Sequence, residues 1–148
     1  MELRYLSDIF YNKYQDCSEI LIKENRPYII LIIEIDNLKF AIPFRSSMNI
    51  HKKYCYITNK EKKSGLDFEK SIPIIDNSWL STKNYPTINQ YEFNYIKFEE
   101  YKIKHMFTNF LKAYKKDFYK RKESPDIPQN KDFIFCTLKY FHRELGLE

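Results

Sequence analysis

The stretch "IPFRSSMNIHKKY", residues 42 to 54, gathers side chains that could bind a phosphate group and move a proton. Arginine presents a planar fork of donors that matches phosphate oxygens. Histidine is the side chain that ordinarily exchanges protons near neutral pH. Hydroxyl and ammonium groups could complete such a site. The candidates are Arg45, Ser46, Ser47, His51, Lys52 and Lys53.

Cleavage of RNA is one reaction that these groups could perform without a metal ion. The reaction needs a proton removed from the ribose 2′-hydroxyl, charge stabilised on the phosphorane oxygens, and a proton given to the leaving 5′-oxygen. Arg45 suits the second task, and His51 is the candidate for proton transfer. Tyr54 and Tyr56 would offer ring faces on which bases could stack. The alternative is a solvated loop between two strands. Taken alone, the residue types favour this alternative over a catalytic site.

Other catalytic sites have little support in the sequence. It contains no HExxH motif and no cysteine pair at zinc spacing. With two glycines in the whole chain, a glycine-rich phosphate cradle is not available. The G-x-S-x-G elbow of many serine hydrolases is also absent. We therefore expect no metal site and no cofactor, and we interpret His105 and His142 as packing or surface residues.

Length and composition are typical of one folded domain, residues 1–148. The net charge of +5 weakly favours a polyanionic partner. Three widely spaced cysteines predict a reduced cytoplasmic protein rather than a disulfide framework. No apolar run approaches the roughly 20 residues that span a bilayer, and the N-terminus has no signal-peptide pattern.

The first half of the chain is predicted to form strands. "MELRYLS" alternates like a short strand, and Ser7 or Asp8 could then cap a helix. "RPYIILIIEI" and "KFAIPF" form a hairpin around an Asp36-Asn37 turn. Pro43 places the end of the second strand at an edge or a bulge. "YCYIT" and "LDFEKSIPI" are two further strand candidates.

The second half is predicted to be helical. Residues 91 to 98 fit either a strand or the first turns of a helix. From about Lys102 an apolar stripe with helical spacing runs to Phe118, and "ESPDIP" ends this helix. A last helix begins near Asp132 and is capped at Gly146. Strands followed by helices predict an α+β fold with an antiparallel sheet.

Several segments, taken in order, resemble the type III toxin–antitoxin endoribonuclease toxins, the ToxN, AbiQ and CptN/TenpN group. The carrying segments are "LRYLSDIFYNKY", "NRPYIILIIEIDNLKFAIPFRSS" and "SGLDFEKSIPI", followed by a helix-rich half. The resemblance covers essentially the whole chain and is closest over residues 1 to 75. The Pro-Phe-Arg-Ser form looks most similar to the CptN/TenpN branch.

The resemblance implies a single compact α+β domain around a highly twisted antiparallel sheet with peripheral helices, distantly like the Kid/MazF toxins. It implies metal-independent RNA cleavage that leaves a 2′,3′-cyclic phosphate and a 5′-hydroxyl. The partner that it implies is an antitoxin RNA, a short repeat folded as a pseudoknot. The toxin would cut this RNA from its precursor and hold it in a closed protein–RNA ring. Such toxins act in phage defence or plasmid retention, and cellular or phage RNAs would be their substrates.

The family's site residues carry over in part. The basic residue before the long strand falls on Arg26, and the hydroxyl after the proline step falls on Ser46. A threonine of ToxN-like members is Arg45 here. The family lysine two places beyond the serine is Met48, so Arg45, His51 or Lys52 would have to supply the positive charge. We prefer Arg45 for phosphate charge, Ser46 as a hydrogen-bonding or proton-relay group, and His51 as acid or base.

RNA contacts are predicted on two surfaces, the loop after the hairpin and the polar face of the long helix. A run of lysines on a helix is also typical of a plain solvated face. Two other functions stay open, a non-catalytic RNA-binding module that uses the same basic groove, and a protein that binds a protein partner through its aromatic residues. The predicted RNA-binding residues are Lys39, Ser47, Lys52, Lys53, Tyr54, Lys112, Lys115 and Lys116.

Overall fold

A β-hairpin forms the centre of the protein, which we describe from a computed structural model over residues 1–22 and 28–148. Strands β2 (Ile29–Ile35) and β3 (Leu38–Arg45) pair antiparallel, as predicted. Asp36 and Asn37 join them with φ angles of 50° and 66°. Two successive left-handed residues are what a two-residue hairpin turn requires, and Asp and Asn tolerate them better than most residues.

Six strands make one antiparallel sheet around this hairpin. The other strands are β1 (Glu2–Tyr5), β4 (Cys55–Asn59), β5 (Ser64–Asp67) and β6 (Ile72–Ile74). Their order is β1-β2-β3-β5-β4, and β6 pairs with β3 beside β5. The predicted α+β class with an antiparallel sheet is confirmed.

Pro43 lies within a central strand, so the prediction that it marks an edge or a bulge is wrong. It pairs with Ile30 of β2. On its other side β3 changes partner, from β6 beside residues 39–41 to β5 beside residues 44–45. Ile42 and Pro43 fall between these two partners. This gap in the ladder is where a central strand can accommodate a residue without an N–H group.

The segment "LDFEKSIPI" is not one strand, contrary to the prediction. A 3-10 turn at Phe68–Lys70 separates β5 from β6. The turn lets the chain leave one stretch of β3 and rejoin it further along. The physical reason is that β5 pairs with residues 44–45 of β3 and β6 with residues 39–41, while the carbonyl oxygens of Glu69 and Ser71 accept from the Thr137 hydroxyl and not from a strand.

Two helices cover one face of the sheet. Residues 91–98 belong to helix α2 (Gln90–Phe98), which settles the ambiguity between strand and helix. The long helix is α3 (Glu100–Glu123), as predicted, and its apolar stripe is buried. Phe107 packs edge-on against Phe40 of β3 and Phe68, with ring centroids 5.1 Å and 5.3 Å away.

A second core lies on the other face of the sheet. Helix α1 (Asp8–Lys13) begins at Ser7, whose hydroxyl accepts a hydrogen bond from the Phe10 amide, as predicted. Phe10 packs on Trp79 with ring centroids 5.3 Å apart. Trp79 belongs to a 3-10 turn, Asn77–Trp79. None of the described helices is long and apolar enough to cross a membrane.

The predicted C-terminal helix does not form. Two 3-10 turns, Lys131–Phe133 and Thr137–Tyr140, take its place. The buried Thr137 hydroxyl donates to the carbonyl oxygens of Glu69 and Ser71, which ties this segment to the turn between β5 and β6. Gly146 has a φ of 72°, the left-handed value predicted for a cap, although no helix precedes it.

Gly65 allows β4 and β5 to approach closely, which gives a first test. A Cβ atom at this position would lie 2.2 Å from the Tyr56 carbonyl oxygen, which is backbone and cannot turn away. We expect Gly65→Ala to lower the free energy of unfolding by about 3 kcal/mol, measured by urea titration.

The matched control is Gly146→Ala, where a Cβ has open space and only the left-handed φ opposes it. That change should cost about 1 kcal/mol. Equal losses at the two glycines would contradict the close approach at Gly65.

Candidate RNA-binding and active site

The loop that follows β3 carries the predicted serines at the surface. Ser46 and Ser47 are exposed, directly after Arg45, the last residue of β3. Ser47 has a φ of 54°, so the chain turns sharply at this residue. The Ser47 and Met48 amides donate to the carbonyl oxygens of Lys62 and Lys63, at 3.3 Å and 3.0 Å. These bonds fix the loop against the turn between β4 and β5.

A buried carboxylate draws the two ends of this loop together. Asp67, at the end of β5, has no exposed side chain. It accepts a hydrogen bond from Arg45 Nη1 at 2.7 Å, and it lies 2.8 Å and 2.9 Å from Lys52 Nζ through its two oxygens. Because Arg45 precedes the loop and Lys52 follows His51, Asp67 closes residues 46 to 51 into a defined turn.

Glu69 completes the ion cluster. Its Oε2 lies 2.5 Å from Lys52 Nζ, and the residue is 9% exposed. Burial disfavours the charged ammonium, yet the Asp67 and Glu69 carboxylates hold the pKa of Lys52 above its ordinary value. The charges of Arg45 and Lys52 are therefore neutralised by two buried acids. Both cations fix the shape of the loop, and neither has an unpaired charge with which to bind phosphate.

A depression of about 320 Å³ lies beside the second half of the loop. His51, Lys53 and Tyr54 line it, together with Lys52 and residues of the C-terminal segment. His51 is exposed, and its amide donates to Asn49 Oδ1 at 3.0 Å, which holds the turn. The structure thus brings four of the predicted residues to one concave surface. Ser46 and Ser47 lie on the same loop but not on the walls of this depression.

The predicted stacking role of the two tyrosines is wrong for Tyr56, which is 5% exposed. Tyr54 is half-buried. Its ring stacks on Phe133 with centroids 5.5 Å apart and an angle of 15° between the planes. It also contacts Phe110, and the Lys53 ammonium lies 5.4 Å from its centroid. Because the Tyr54 ring packs against Phe133 and Phe110, it attaches the end of the loop to the core.

Two further positions were assigned from the family resemblance, Met48 and Arg26, and the structure describes only Met48. Met48 is 3% exposed, so the residue in place of the family lysine serves the core and contributes no charge. Lys52, four places further on, is a largely buried cation that pairs with Asp67 and Glu69, and which group replaces the family lysine stays a prediction. Arg26 lies outside the described residues, and its role stays a prediction.

The other predicted RNA-binding lysines are not part of this cluster. Lys39 is at the far end of β3, six residues from Arg45, or roughly 20 Å along an extended chain. It lies opposite Glu34 of β2. Lys112 and Lys116 are exposed on α3 and Lys115 is half-buried, and none of these three lines the depression. Their RNA contacts stay predictions for separate surfaces.

Three groups of this site were missed by the sequence analysis. Asp67 and Glu69 alternate with Leu66 and Phe68 in "LDFE", and acids within an apolar run signal buried, paired charges. Lys70 is the third group, and its Nζ donates to the Phe135 carbonyl oxygen at 2.8 Å. Burial lowers the pKa of Lys70 despite the nearby acids. Nothing in the sequence indicates that residue 135 would lie here.

The histidines outside the loop behave as the sequence predicts. His105 is exposed on α3, and His142 lies 2.6 Å from the Tyr114 hydroxyl and packs on Phe118. Burial lowers the pKa of His142 although Glu148 opposes this. Among the described residues, no group of three or more His, Cys, Asp or Glu side chains could hold a metal ion.

Comparison with known proteins gives one informative likeness at the level of structure. No family model matches the chain, and no curated protein is significantly similar in sequence. A solved structure described as "A processed non-coding RNA regulates a bacterial antiviral system" matches with a TM-score of 0.54 and 17% identity. The match covers 96% of this chain and 98% of that one. The chain therefore has a ToxN-like fold, a single α+β domain on an antiparallel sheet.

The ion cluster around Asp67 can be tested by its effect on the stability of the protein. In Asp67→Asn, Arg45 loses its counter-charge and Lys52 loses one of two, in a place that is largely removed from water. We expect the free energy of unfolding, measured by urea titration, to fall by about 3 kcal/mol.

Asp117→Asn is the control, because Asp117 pairs with Arg121 one turn away on α3. Such a helical pair contributes about 0.5 kcal/mol. A similarly small loss in Asp67→Asn would show that the buried carboxylate does not hold the loop.

Proposed function

We propose that this protein is the toxin of a type III toxin–antitoxin system, an endoribonuclease that cuts RNA in the cytoplasm without a metal ion. The observation that carries the proposal is the position of Ser46, the serine assigned by the family resemblance. Ser46 is exposed on a loop that a buried ion cluster holds in shape, on a ToxN-like fold. The solved structure with this fold concerns an antiviral system regulated by a processed non-coding RNA.

The proposed reaction is attack of the ribose 2′-oxygen on the adjacent phosphorus. The 2′-oxygen loses its proton as the new P–O bond forms, and the 5′-oxygen gains a proton as its bond to phosphorus breaks. The products are a 2′,3′-cyclic phosphate and a 5′-hydroxyl, so no water is consumed. Ser46 donates a hydrogen bond to a phosphate oxygen, and His51 transfers a proton.

The source of positive charge differs from the expectation for Arg45. Arg45 and Lys52 are neutralised by Asp67 and Glu69, and they act by positioning the loop. Lys53 has a 63% exposed side chain and lies 3.9 Å from Asp132, so it can turn to a phosphate at little cost. Lys53 and Arg26 are the cations that we assign to the substrate.

The partner that we propose is a short repeat RNA, folded as a pseudoknot, which the protein cuts from its precursor and retains in a closed ring. The nearer likeness to the CptN/TenpN branch belongs to the same proposal. A tandem repeat behind a promoter, directly upstream of the reading frame, would support this partner.

A second candidate function is a non-catalytic RNA-binding module. The specific observation in its favour is that Met48 is buried where the family has a lysine, while two nearby cations are already paired. A protein of that kind would bind RNA and leave it intact.

Ser46→Ala tests the catalytic proposal, because it removes one hydroxyl from an exposed residue. Expression of the unaltered protein should stop bacterial growth, and Ser46→Ala should not. Cleavage of RNA by the purified variant should be slower by about 100-fold or more. Sequencing of RNA 5′ ends after a short induction reports both the activity and the cut sequence.

Ser18→Ala provides the control, since it makes the same change at an exposed serine outside the loop. It should remain fully toxic. If Ser46→Ala is soluble and as toxic as the unaltered protein, Ser46 has no catalytic role. If the unaltered protein and Ser46→Ala both bind RNA, and neither of them is toxic or cuts RNA, the second candidate function is correct.

Removal of metal ions tests the reaction class independently of any substitution. With RNA and purified protein, the rate of cleavage should be the same with and without excess EDTA, because the assigned groups are all side chains. Loss of cleavage that returns on addition of Mg²⁺ would overturn the metal-independent mechanism.

A further inference from the structure

A row of exposed aromatic rings runs along one side of α2. Tyr91 and Phe98 are 83% and 85% exposed, and Tyr95 between them is 43% exposed. Spacings of four and three residues place these side chains on the same helix face. Tyr101, at the start of α3, is 86% exposed. Single exposed apolar residues are common on soluble proteins, but a contiguous row of large rings is typical of a binding surface.

A concave surface of about 480 Å³ lies between this helix and the turn that joins β4 to β5. Tyr91 and Tyr95 line one side of it, and Lys62 lines the other. Asn59, Asn89 and Glu92 supply groups that can hydrogen-bond to base edges. The walls thus combine flat rings, amides and a cation.

The turn itself is a cluster of cations. Lys60, Lys62 and Lys63 are exposed, and none of them forms an ion pair with another described residue. They differ in this from Arg45 and Lys52, whose charges are neutralised. One acid, Glu61, lies among them.

This surface is continuous with the loop of the candidate site. The Ser47 and Met48 amides bind the carbonyl oxygens of Lys62 and Lys63. The lysine turn is therefore attached to the residues that directly follow Ser46. An RNA strand bound at Ser46 would contact these lysines first and the tyrosines of α2 next.

We propose that the lysine turn and the aromatic face of α2 form a binding track for single-stranded RNA that leads to Ser46. Phosphates lie against Lys60, Lys62 and Lys63, and unpaired bases stack on Tyr91 and Phe98. The track deepens the proposed function and rests on it, since it assigns the part of the substrate that lies beyond the cut.

RNA fits this surface better than a protein partner does. Stacking on tyrosine is open to every base because each has a flat face, and the unpaired lysines complement a phosphate backbone. The helix that carries the rings is also held in place before binding, because the Asn89 side chain caps it by accepting hydrogen bonds from the Tyr91 and Glu92 amides. Preorganised rings lose little side-chain entropy when a base stacks on them.

The test measures binding separately from cleavage. In the Ser46→Ala background, the affinity for labelled oligouridine is measured by fluorescence anisotropy. Replacing Tyr91 and Phe98 together by serine should weaken binding at least tenfold, since each aromatic ring contributes the stacking of about one base. Lys62→Gln should weaken binding and reduce the slope of log affinity against log salt by about one.

The matched control is Tyr119→Ser, at a tyrosine of α3 that is 47% exposed and does not line the concave surface. It should leave the affinity unchanged. Circular dichroism of each variant verifies the fold, and the aromatic variant should bind an abasic strand as well as its parent does.

The outcomes separate the track from the proposed function. If the Ser46→Ala parent does not bind RNA, the proposed function and the track both fail. If the parent binds and the Tyr91 and Phe98 substitutions change nothing, the track alone is overturned, and the aromatic face is left for a protein partner. An equal loss of affinity in Tyr119→Ser would also overturn it.

Discussion

The contact of one buried carboxylate with two cations decides the shape of the loop that follows β3. Asp67 binds Arg45, the last residue of β3, and Lys52, which follows His51. A buried acid without partners would be costly, so this contact also fixes where β5 ends against β3. Gly65, two residues earlier, lets β5 lie close to β4, and it pairs with Arg45 of β3. Sheet register and loop shape therefore depend on each other.

This arrangement divides the described cations in and beside the loop into two groups. Arg45 and Lys52 are paired with buried acids and give rigidity, while Lys53, Lys60 and Lys62 are exposed at the surface. Only the second group can exchange water and counterions for phosphate at low cost. A basic stretch in a sequence thus contains residues with different physical roles, and burial distinguishes them.

The aromatic residues divide in the same way. Most of them, such as Phe107 and Trp79, fill the two cores on either face of the sheet. Tyr54 joins the loop to one core through Phe133. A few rings on α2 remain in solvent, next to the exposed lysines. The rings in solvent thus lie beside cations that form no ion pair with another described residue, whereas the buried rings hold the fold together.

The sequence by itself determined the hairpin, the N-terminal cap of α1, the stripe of α3 and the fold class, because these follow from local periodicity and turn chemistry. It also offered His51 and the two serines as candidates, since their types suit the chemistry, and the family resemblance selected Ser46 between the serines. Only the tertiary structure decided that Arg45 and Lys52 are paired, that Tyr56 is buried and that residues 132 to 145 form 3-10 turns and not an α-helix. The ion pairs and the course of the C-terminal segment depend on Asp67, Glu69 and Thr137, which lie 15 to 68 positions from their partners. No local pattern encodes contacts at such separations, because packing against the whole sheet selects them.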